Sequence, residues 1–143
     1  MPLITLTYAT PAPATDPALK RRLAQTVVDL STTILHKDPK VTAILVTQAD
    51  AADWFCGGQS LVEAARASIW LDIHITEGTN TKDEKTAFIA QAFARLGDVL
   101  GPLHEESYIH VHEVRGDAYG FGGRTQDWRY IARQVQAEAT RAA

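Results

Sequence analysis

The sequence has little cysteine, little net charge and no long apolar run. Its single cysteine, Cys56, cannot form an internal disulfide, so we expect a reducing, cytoplasmic location. No base lies beside Cys56 in the chain, and we interpret this thiol as structural. No apolar run approaches the roughly 20 residues of a membrane span, and the start lacks a basic region followed by an apolar core. A net charge of −3 argues against nucleic acid as a partner.

The composition is that of an ordinary globular protein of 143 residues, with 45% hydrophobic and 22% charged residues. This length accommodates one compact domain, or two small units that share a core. In the first half, hydrophobic periodicity and Gly/Pro positions predict four elements. They are a strand over residues 2–8, a helix from Thr15 or Asp16 to near His36, a strand over 41–47, and a glycine turn or short hairpin over 52–59.

The same order of elements recurs in the second half. Alternation, capping residues and an apolar helix face predict a strand over 69–75, a turn and cap over 77–81, a helix ending at Gly101-Pro102, a strand over 108–114 and a turn over 117–124. A polar helix over about 127–141 follows, and its charged residues suggest a solvated helix that packs on a neighbouring subunit. Trp128, Ile131 and Val135 lie on one side of it.

The two halves align without a gap from the first helix to the glycines. This alignment superposes Ile44 on Ile109 and Gly57-Gly58 on Gly122-Gly123. The first strands align better after a shift of two residues, which places Ile4 on Leu71, and the two extra residues then fall in the Pro-rich linker. We therefore predict a single α/β (α+β) domain over 1–143, with β-α-β repeats over about 2–60 and 68–126 and a C-terminal helix. Right-handed crossovers would join them into a four-stranded mixed sheet with two helices on one face.

Pro2 follows the initiator methionine at the head of the first strand. Methionine is normally removed before proline, and removal would leave a secondary amine fixed to a sheet. Such an amine is a usable base or nucleophile if its pKa is drawn toward neutrality. Proline is also simply common at this position.

Pro2, the β-α-β-turn unit and its duplication resemble the tautomerase superfamily, and more narrowly a fused, two-repeat 4-oxalocrotonate tautomerase-like protein. The local motifs are Pro2-Leu3-Ile4, residues 73–78 with 83–85, and Gly120-Phe-Gly-Gly123. The resemblance implies that Pro2 is the general base or nucleophile, that sites form where subunits meet, and that duplicated chains form a homotrimer. We expect the enzyme to use neither a cofactor nor a metal. The position that corresponds to Pro2 in the second half is Ile69.

The sequence also departs from this family. Where the best-known relatives have arginines that bind a dicarboxylate, it has Ala12 and Thr79 at one pair of positions, and Ala43 and Tyr108 at the other. Either the substrate is less anionic, or another cation replaces them. The candidates are Arg124, Arg66 and Lys82.

Several side chains are candidates for the site. Trp54 and Tyr119 occupy the aromatic hairpin position, as pocket walls or as hairpin packing. Tyr108 and His110 could polarise a carbonyl or deliver a proton. The alternative is that the polar strand face lines a hydrated interior at a trimer axis; its members are Asp72, His74, His110 and His112. Histidines two apart on a strand can bind a metal, but no well-placed acid completes the set in the sequence, and we predict no metal.

The resemblance and the residues together predict a cofactor-independent tautomerase or isomerase of small keto or unsaturated acids. Pro2 would be the base, and Tyr108 or His110 would stabilise the enolate oxygen. Trp54, Tyr119 and Arg124 would bind substrate. The alternatives are a hydratase-type dehalogenase or a decarboxylase, in which Asp117 or Glu113 positions water, and a catalytically silent trimeric scaffold.

Overall fold

The structure is a computed structural model that describes residues 1–12 and 15–143. The expected linker over 10–14 therefore lies partly outside the described residues. The strands are β1 (Leu3–Ala9), β2 (Ala43–Gln48), β3 (Phe55–Cys56), β4 (Gln59–Ser60), β5 (Ser68–Thr76), β6 (Tyr108–Val114), β7 (Gly120–Phe121) and β8 (Arg124–Thr125). The helices are α1 (Leu19–Thr33), α2 (Leu61–Ala64), α3 (Lys82–Leu100) and α4 (Gln126–Ala142).

The predicted four-stranded mixed sheet is confirmed, with the strand order β2-β1-β5-β6. Strands are parallel within each half, and β1 and β5 join the halves as antiparallel neighbours. Alternate residues of the two central strands are buried under α1 and α3, so both helices lie on one face. The core cluster is Ile4, Leu6, Tyr8, Leu19, Leu23, Val27, Leu30, Leu35, Ile69, Leu71, Ile73, Ile75, Phe88, Ala92 and Leu96.

The strand register reproduces the sequence alignment of the two halves. In the first half Ile4 of β1 lies opposite Ile44 of β2. In the second half their aligned counterparts, Leu71 of β5 and Ile109 of β6, lie opposite each other as well. The shift of two residues between the strand and helix alignments is therefore absorbed before α1. Each half places equivalent strand residues at equivalent sheet positions.

The start of the first helix differs from the prediction. Asp16 does not cap it; its Oδ1 accepts a hydrogen bond from the Ala18 amide at 2.9 Å, which closes a local turn. The helix begins at Leu19 and its N-cap, Ala18, makes no side-chain cap bond. The short polar side chain of Asp16 satisfies the backbone of a turn here instead of a helix end.

Helix α1 also ends earlier than predicted, at Thr33, and His36 adopts a positive φ of 59°. Pro39 begins a 3₁₀ turn that ends at Val41, so β2 starts two residues later than predicted. Proline suits the first position of this turn because an N–H there would have no intrahelical partner, so its absence costs no hydrogen bond.

The sequence interpretation missed α2, a helix of a single turn. Its N-cap, Ser60, forms a capping box with Glu63, and Ala65 ends it in the left-handed region at φ 51°. Thr125, which aligns with Ser60 in the second half, caps α4 in the same way through its side chain. Helix α2 is therefore a short counterpart of α4. Among the described residues, no helix is both long and apolar enough to cross a membrane.

Candidate active site

Pro2 is buried at the head of β1, and its carbonyl accepts a hydrogen bond from the Ala43 amide at 3.2 Å. A cleft of about 440 Å³ opens beside it. The start of β1, the turn before β2 and the β7–β8 hairpin form its walls. The lining residues are Met1, Pro2, Leu3, Lys40, Val41, Thr42, Ala43, Tyr119, Gly120 and Phe121.

The β7–β8 hairpin carries Tyr119 into this cleft. Gly122 and Gly123 both have positive φ, 59° and 73°, as a tight two-residue hairpin turn requires. Gly120 has no room for a side chain, because an added Cβ would collide with the Arg124 carbonyl. The Tyr119 carbonyl in turn accepts from the Gln126 amide at 2.9 Å, which ties the residue to the start of α4.

The Tyr119 hydroxyl donates a hydrogen bond to the Met1 carbonyl and lies 3.2 Å from the carbonyl oxygen of His74. The Met1 carbonyl carbon is bonded to the Pro2 nitrogen, so this phenol lies beside the atom predicted to be the base. Burial raises the pKa of Tyr119, which keeps the hydroxyl protonated as a donor at neutral pH. Of the predicted substrate-binding residues, Tyr119 is the one that the structure brings to Pro2.

The surroundings of the N-terminus disfavour positive charge on the amine. The pKa of the Met1 amino group is lowered from 8.0 to about 6, first by burial and then by the charges of Lys37 and Arg133. Asp38 acts in the opposite direction. The Met1 amino group is therefore largely neutral at pH 7.

Two arginines of α4 border the N-terminus. A second cleft, of about 250 Å³, lies beside Met1 and is lined in part by Arg129 and Arg133. The Arg129 guanidinium stacks 3.6 Å from the Phe121 ring centre and donates to the Phe121 carbonyl at 2.9 Å. Besides the expected packing on a neighbouring subunit, which stays a prediction, α4 thus has contacts within its own chain. The i, i+4 spacing of these arginines was a usable signal, because it places both on one helix face.

The predicted cation Arg124 does not line the Pro2 cleft. Its guanidinium stands 4.7 Å from the Trp128 ring centre. Arg66 and Lys82 do not line the cleft either; Lys40, which sequence reasoning did not single out, does.

Three other predicted site residues lie in a separate pocket. Trp54, Tyr108 and His110, with Trp70 and Ile109, line a pocket of about 450 Å³. Because β5 runs antiparallel to β1, the head of β6 lies at the opposite end of the sheet from Pro2. Within one chain, Tyr108 and His110 therefore do not meet Pro2.

The two pockets occupy equivalent positions in the two halves. In the alignment of the halves Trp54 corresponds to Tyr119, and Ala43 to Tyr108. In the alignment of the first strands Ile69 takes the place of Pro2. Ile69 is in the middle of the chain and fully buried, so the second pocket has no amine.

A polar cluster lies on the sheet face away from the helices. His112 Nε2 is 2.7 Å from Asp72 Oδ1, and His110 Nδ1 is 4.0 Å from the same oxygen. The rings of His74 and His112 are stacked, with centroids 4.3 Å apart. Sequence reasoning placed these side chains on one face but missed that strand pairing sets Asp72 directly opposite His110.

The two acids predicted to position water form ion pairs. Glu113 Oε2 lies 3.0 Å from Lys85 Nζ, and Asp117 binds Arg115 through both carboxylate oxygens, at 3.0 and 2.8 Å. Neither lines the Pro2 cleft. Asp38 lines the adjoining smaller cleft together with Met1.

No protein-family model matches the sequence, and comparison with curated proteins finds no match. Solved structures do match. A fused 4-OT wild-type symmetric trimer is similar at TM-score 0.75 and 16% identity, over 89% of this chain and 98% of that one. N1, a member of the cis-3-chloroacrylic acid dehalogenase family, matches at TM-score 0.71 and 19% identity, over 95% and 98%. FG41 malonate semialdehyde decarboxylase matches at TM-score 0.68 and 17% identity, over 92% and 96%.

These similarities define the class of the fold: the chain has the α+β fold that these solved structures share. More narrowly, its four-stranded mixed sheet, helices and C-terminal helix match the fold of fused 4-OT.

Proposed function

We propose that this protein is a cofactor-independent tautomerase or isomerase of small keto or unsaturated acids, with the Pro2 amine as its general base after removal of Met1. The observation that carries the proposal is the surroundings of the N-terminus. Pro2 is buried beside a cleft, and the Tyr119 hydroxyl donates to the Met1 carbonyl, whose carbon is bonded to the Pro2 nitrogen. At the same end of β1 the pKa of the Met1 amino group is lowered to about 6.

The proposed reaction moves one proton. The neutral Pro2 nitrogen takes the proton α to a substrate carbonyl and becomes a secondary ammonium. Charge then develops on the carbonyl oxygen, and the Tyr119 hydroxyl donates a hydrogen bond to it. The ammonium returns the proton to oxygen or to another carbon, which leaves the base neutral for the next turnover.

The charges near the cleft favour an acid as substrate. Lys40 lines the Pro2 cleft, and Arg133 acts on the terminal amine from α4. Their charges are available to a carboxylate in place of the missing family arginines. Val41 and Phe121 form apolar walls for the carbon skeleton.

We propose a homotrimer, in which Tyr108 and His110 line a surface that meets a neighbouring subunit. The supporting observations are the unpaired outer edges of β2 and β6 and the exposed apolar residues Trp128, Ile131 and Val135 on α4. The similar fused 4-OT structures are trimers by their descriptions. Light scattering should give three times the chain mass, and a stable monomer at micromolar concentration would contradict the assembly.

A hydratase-type dehalogenase or a decarboxylase is the second candidate, because structures with those descriptions share the fold. That chemistry needs a carboxylate to position water. Asp38, in the adjoining cleft, is a candidate, but the described lining of the Pro2 cleft contains no acid. The tautomerase reaction requires only the base and the hydroxyl donor. A silent scaffold would keep the fold without turnover.

The test uses protein whose loss of Met1 is verified by intact mass. Phenylpyruvate enolisation and halide release from a 3-haloacrylate are measured in parallel. Pro2→Ala should lower kcat for the keto acid by about 10²-fold or more, the effect of a positioned acid–base group. Halide release in preference to enolisation would favour the second candidate. No turnover of either substrate by the processed protein would favour the scaffold.

A further inference from the structure

We propose that Asp72, His110 and His112 form a binding site for a divalent transition-metal ion on the open face of the sheet. The inference is separate from the proposed chemistry at Pro2 and requires no second chain. Each residue offers one ligand atom, and the three atoms lie within 4.8 Å of one another.

The distances are close to those of a three-ligand site. For metal–ligand bonds of about 2.1 Å, neighbouring ligand atoms are separated by about 3.0–3.4 Å. Asp72 Oδ1 lies 2.7 Å from His112 Nε2 and 4.0 Å from His110 Nδ1, on either side of that separation. The His110 and His112 rings lie 3.6 Å apart, centroid to centroid, at an interplanar angle of 31°, so the His110 side chain must rotate for both nitrogens to face one ion.

The backbone holds the three positions in place. Asp72 is on the central strand β5 and lies directly opposite His110 on β6. His112 is two residues further along β6, so its side chain is on the same face as that of His110. His74 stacks on the His112 ring with an interplanar angle of 5°, which supports the ring's orientation.

The donor set selects the class of metal. Two imidazole nitrogens and one carboxylate oxygen suit Zn²⁺, Co²⁺, Ni²⁺ or Cu²⁺, whereas Mg²⁺ and Ca²⁺ prefer oxygen ligands alone. The side chains of His110, His112 and Asp72 are 64%, 30% and 21% exposed, which leaves room for water to complete the coordination.

His74, which stacks on His112, has a buried ring nitrogen that could accept or donate one more hydrogen bond. Among the residues that the structure describes, the buried Nδ1 of His74 has no hydrogen-bond partner. Buried polar atoms are normally paired, so a water ordered beside the cluster would satisfy this nitrogen.

Metal binding is tested directly, without an activity assay. Chelator-treated protein is titrated with Zn²⁺ by calorimetry, and with Co²⁺ by visible absorption, which reports nitrogen and oxygen coordination. We expect about one ion per chain, in keeping with three ligands from one chain. Asp72→Asn and His112→Gln should each weaken binding by at least 10- to 100-fold, since even outer-shell changes have effects of this size.

Two variants keep the result interpretable. His110→Gln alters a largely exposed side chain, so we expect it to fold normally. It therefore provides a ligand variant even if Asp72→Asn and His112→Gln fail to fold. His36→Gln is the matched control, because His36 also faces a carboxylate, Glu84 Oε2 at 3.0 Å, but without a second histidine. It should bind like the parent protein. Absence of binding at millimolar Zn²⁺, one ion per three chains, or equal binding by parent and His110→Gln would each overturn the proposal.

Discussion

The first and second halves of the molecule build the same unit and place a pocket at the same position of it, but of the two pockets only the first adjoins the N-terminus. Pro2 becomes an amine when Met1 is removed, whereas its counterpart Ile69 lies within the chain. A duplicated fold thus repeats geometry and hydrophobic pattern. It cannot repeat a terminal amine, so the two pockets necessarily differ in chemistry.

The halves differ a second time after their hairpins. Helix α2 stops after a single turn because Ala65 directs the chain toward β5, while α4 continues from Gln126 to Ala142. The additional turns of α4 carry Arg129 and Arg133 to the N-terminus. The Trp54 pocket receives no equivalent cations from α2.

The largest expected effect comes from blocking the amine. Protein with an uncleaved extension before Pro2 should lose turnover of phenylpyruvate by at least about 10³-fold, because no lone pair is then available. Ile69→Val, at the equivalent position of the other half, should leave kcat unchanged. Initial-rate assays on both proteins test this contrast, and full activity of the extended protein would remove Pro2 from the mechanism.

The next largest effect is on the free energy of unfolding. It tests whether helices α1 and α3 contribute equally to the core. Leu23 of α1 and Phe88 of α3 are equivalent and fully buried. Leu23→Ala should lower the free energy of unfolding by about 2–5 kcal/mol and Phe88→Ala by about 3–5 kcal/mol, through lost burial and the cavities left behind. Denaturant unfolding monitored by circular dichroism measures both. A loss below about 1 kcal/mol in only one half would show that the two helices do not share one core equally.

A smaller effect is expected from the aromatic hairpin position. Tyr119→Phe should reduce kcat by about 10- to 100-fold with little change in KM, since the hydroxyl acts mainly on the developing oxyanion. Trp54→Phe, its counterpart, should leave both constants near their parent values. Equal losses in the two variants would mean that the pockets act together, which is the arrangement expected if a neighbouring subunit supplies Trp54.

The smallest effect concerns pH. Arg133 lowers the pKa of the terminal amine, so Arg133→Gln should raise that pKa and move the acid limb of the kcat/KM profile to higher pH by a fraction of a unit. Arg141→Gln, on the last turn of α4, should leave the profile unchanged. In protein that keeps Met1, a pH titration of the Met1 amino group followed by NMR should give a pKa near 6 instead of 8.0. A shift to lower pH in Arg133→Gln would contradict the assigned charge effect.

The sheet was predictable from the sequence because burial on one face imposes a two-residue period. Ile109 and Val111 alternate with His110 and His112, and β6 has the predicted bounds. The start of α1 was not predictable in this way, since Asp16 can cap a turn as readily as a helix and only the surrounding backbone decides between them.

The site was predictable only in part. Pro2 and Tyr119 were both candidates, but their proximity depends on how the second half returns beside β1. Because β1 and β5 pair in antiparallel orientation, Tyr108 lies at the end of the sheet opposite Pro2. No local pattern encodes either distance. Similarly, Asp72 and His110 are separated in the chain by the whole of α3 and become neighbours only through strand pairing.

Helix α4 has a consequence for how this protein can change. Of its 17 residues Gln126 alone is buried within the chain. Exchanges on α4 away from Arg129 and from the apolar side that carries Trp128, Ile131 and Val135 should usually shift stability by only about ±0.5 kcal/mol. The same helix supplies two of the positive charges around the N-terminus. Mutational drift, or a designed library confined to α4, can therefore retune the electrostatic environment of the amine while the core that builds the fold stays constant.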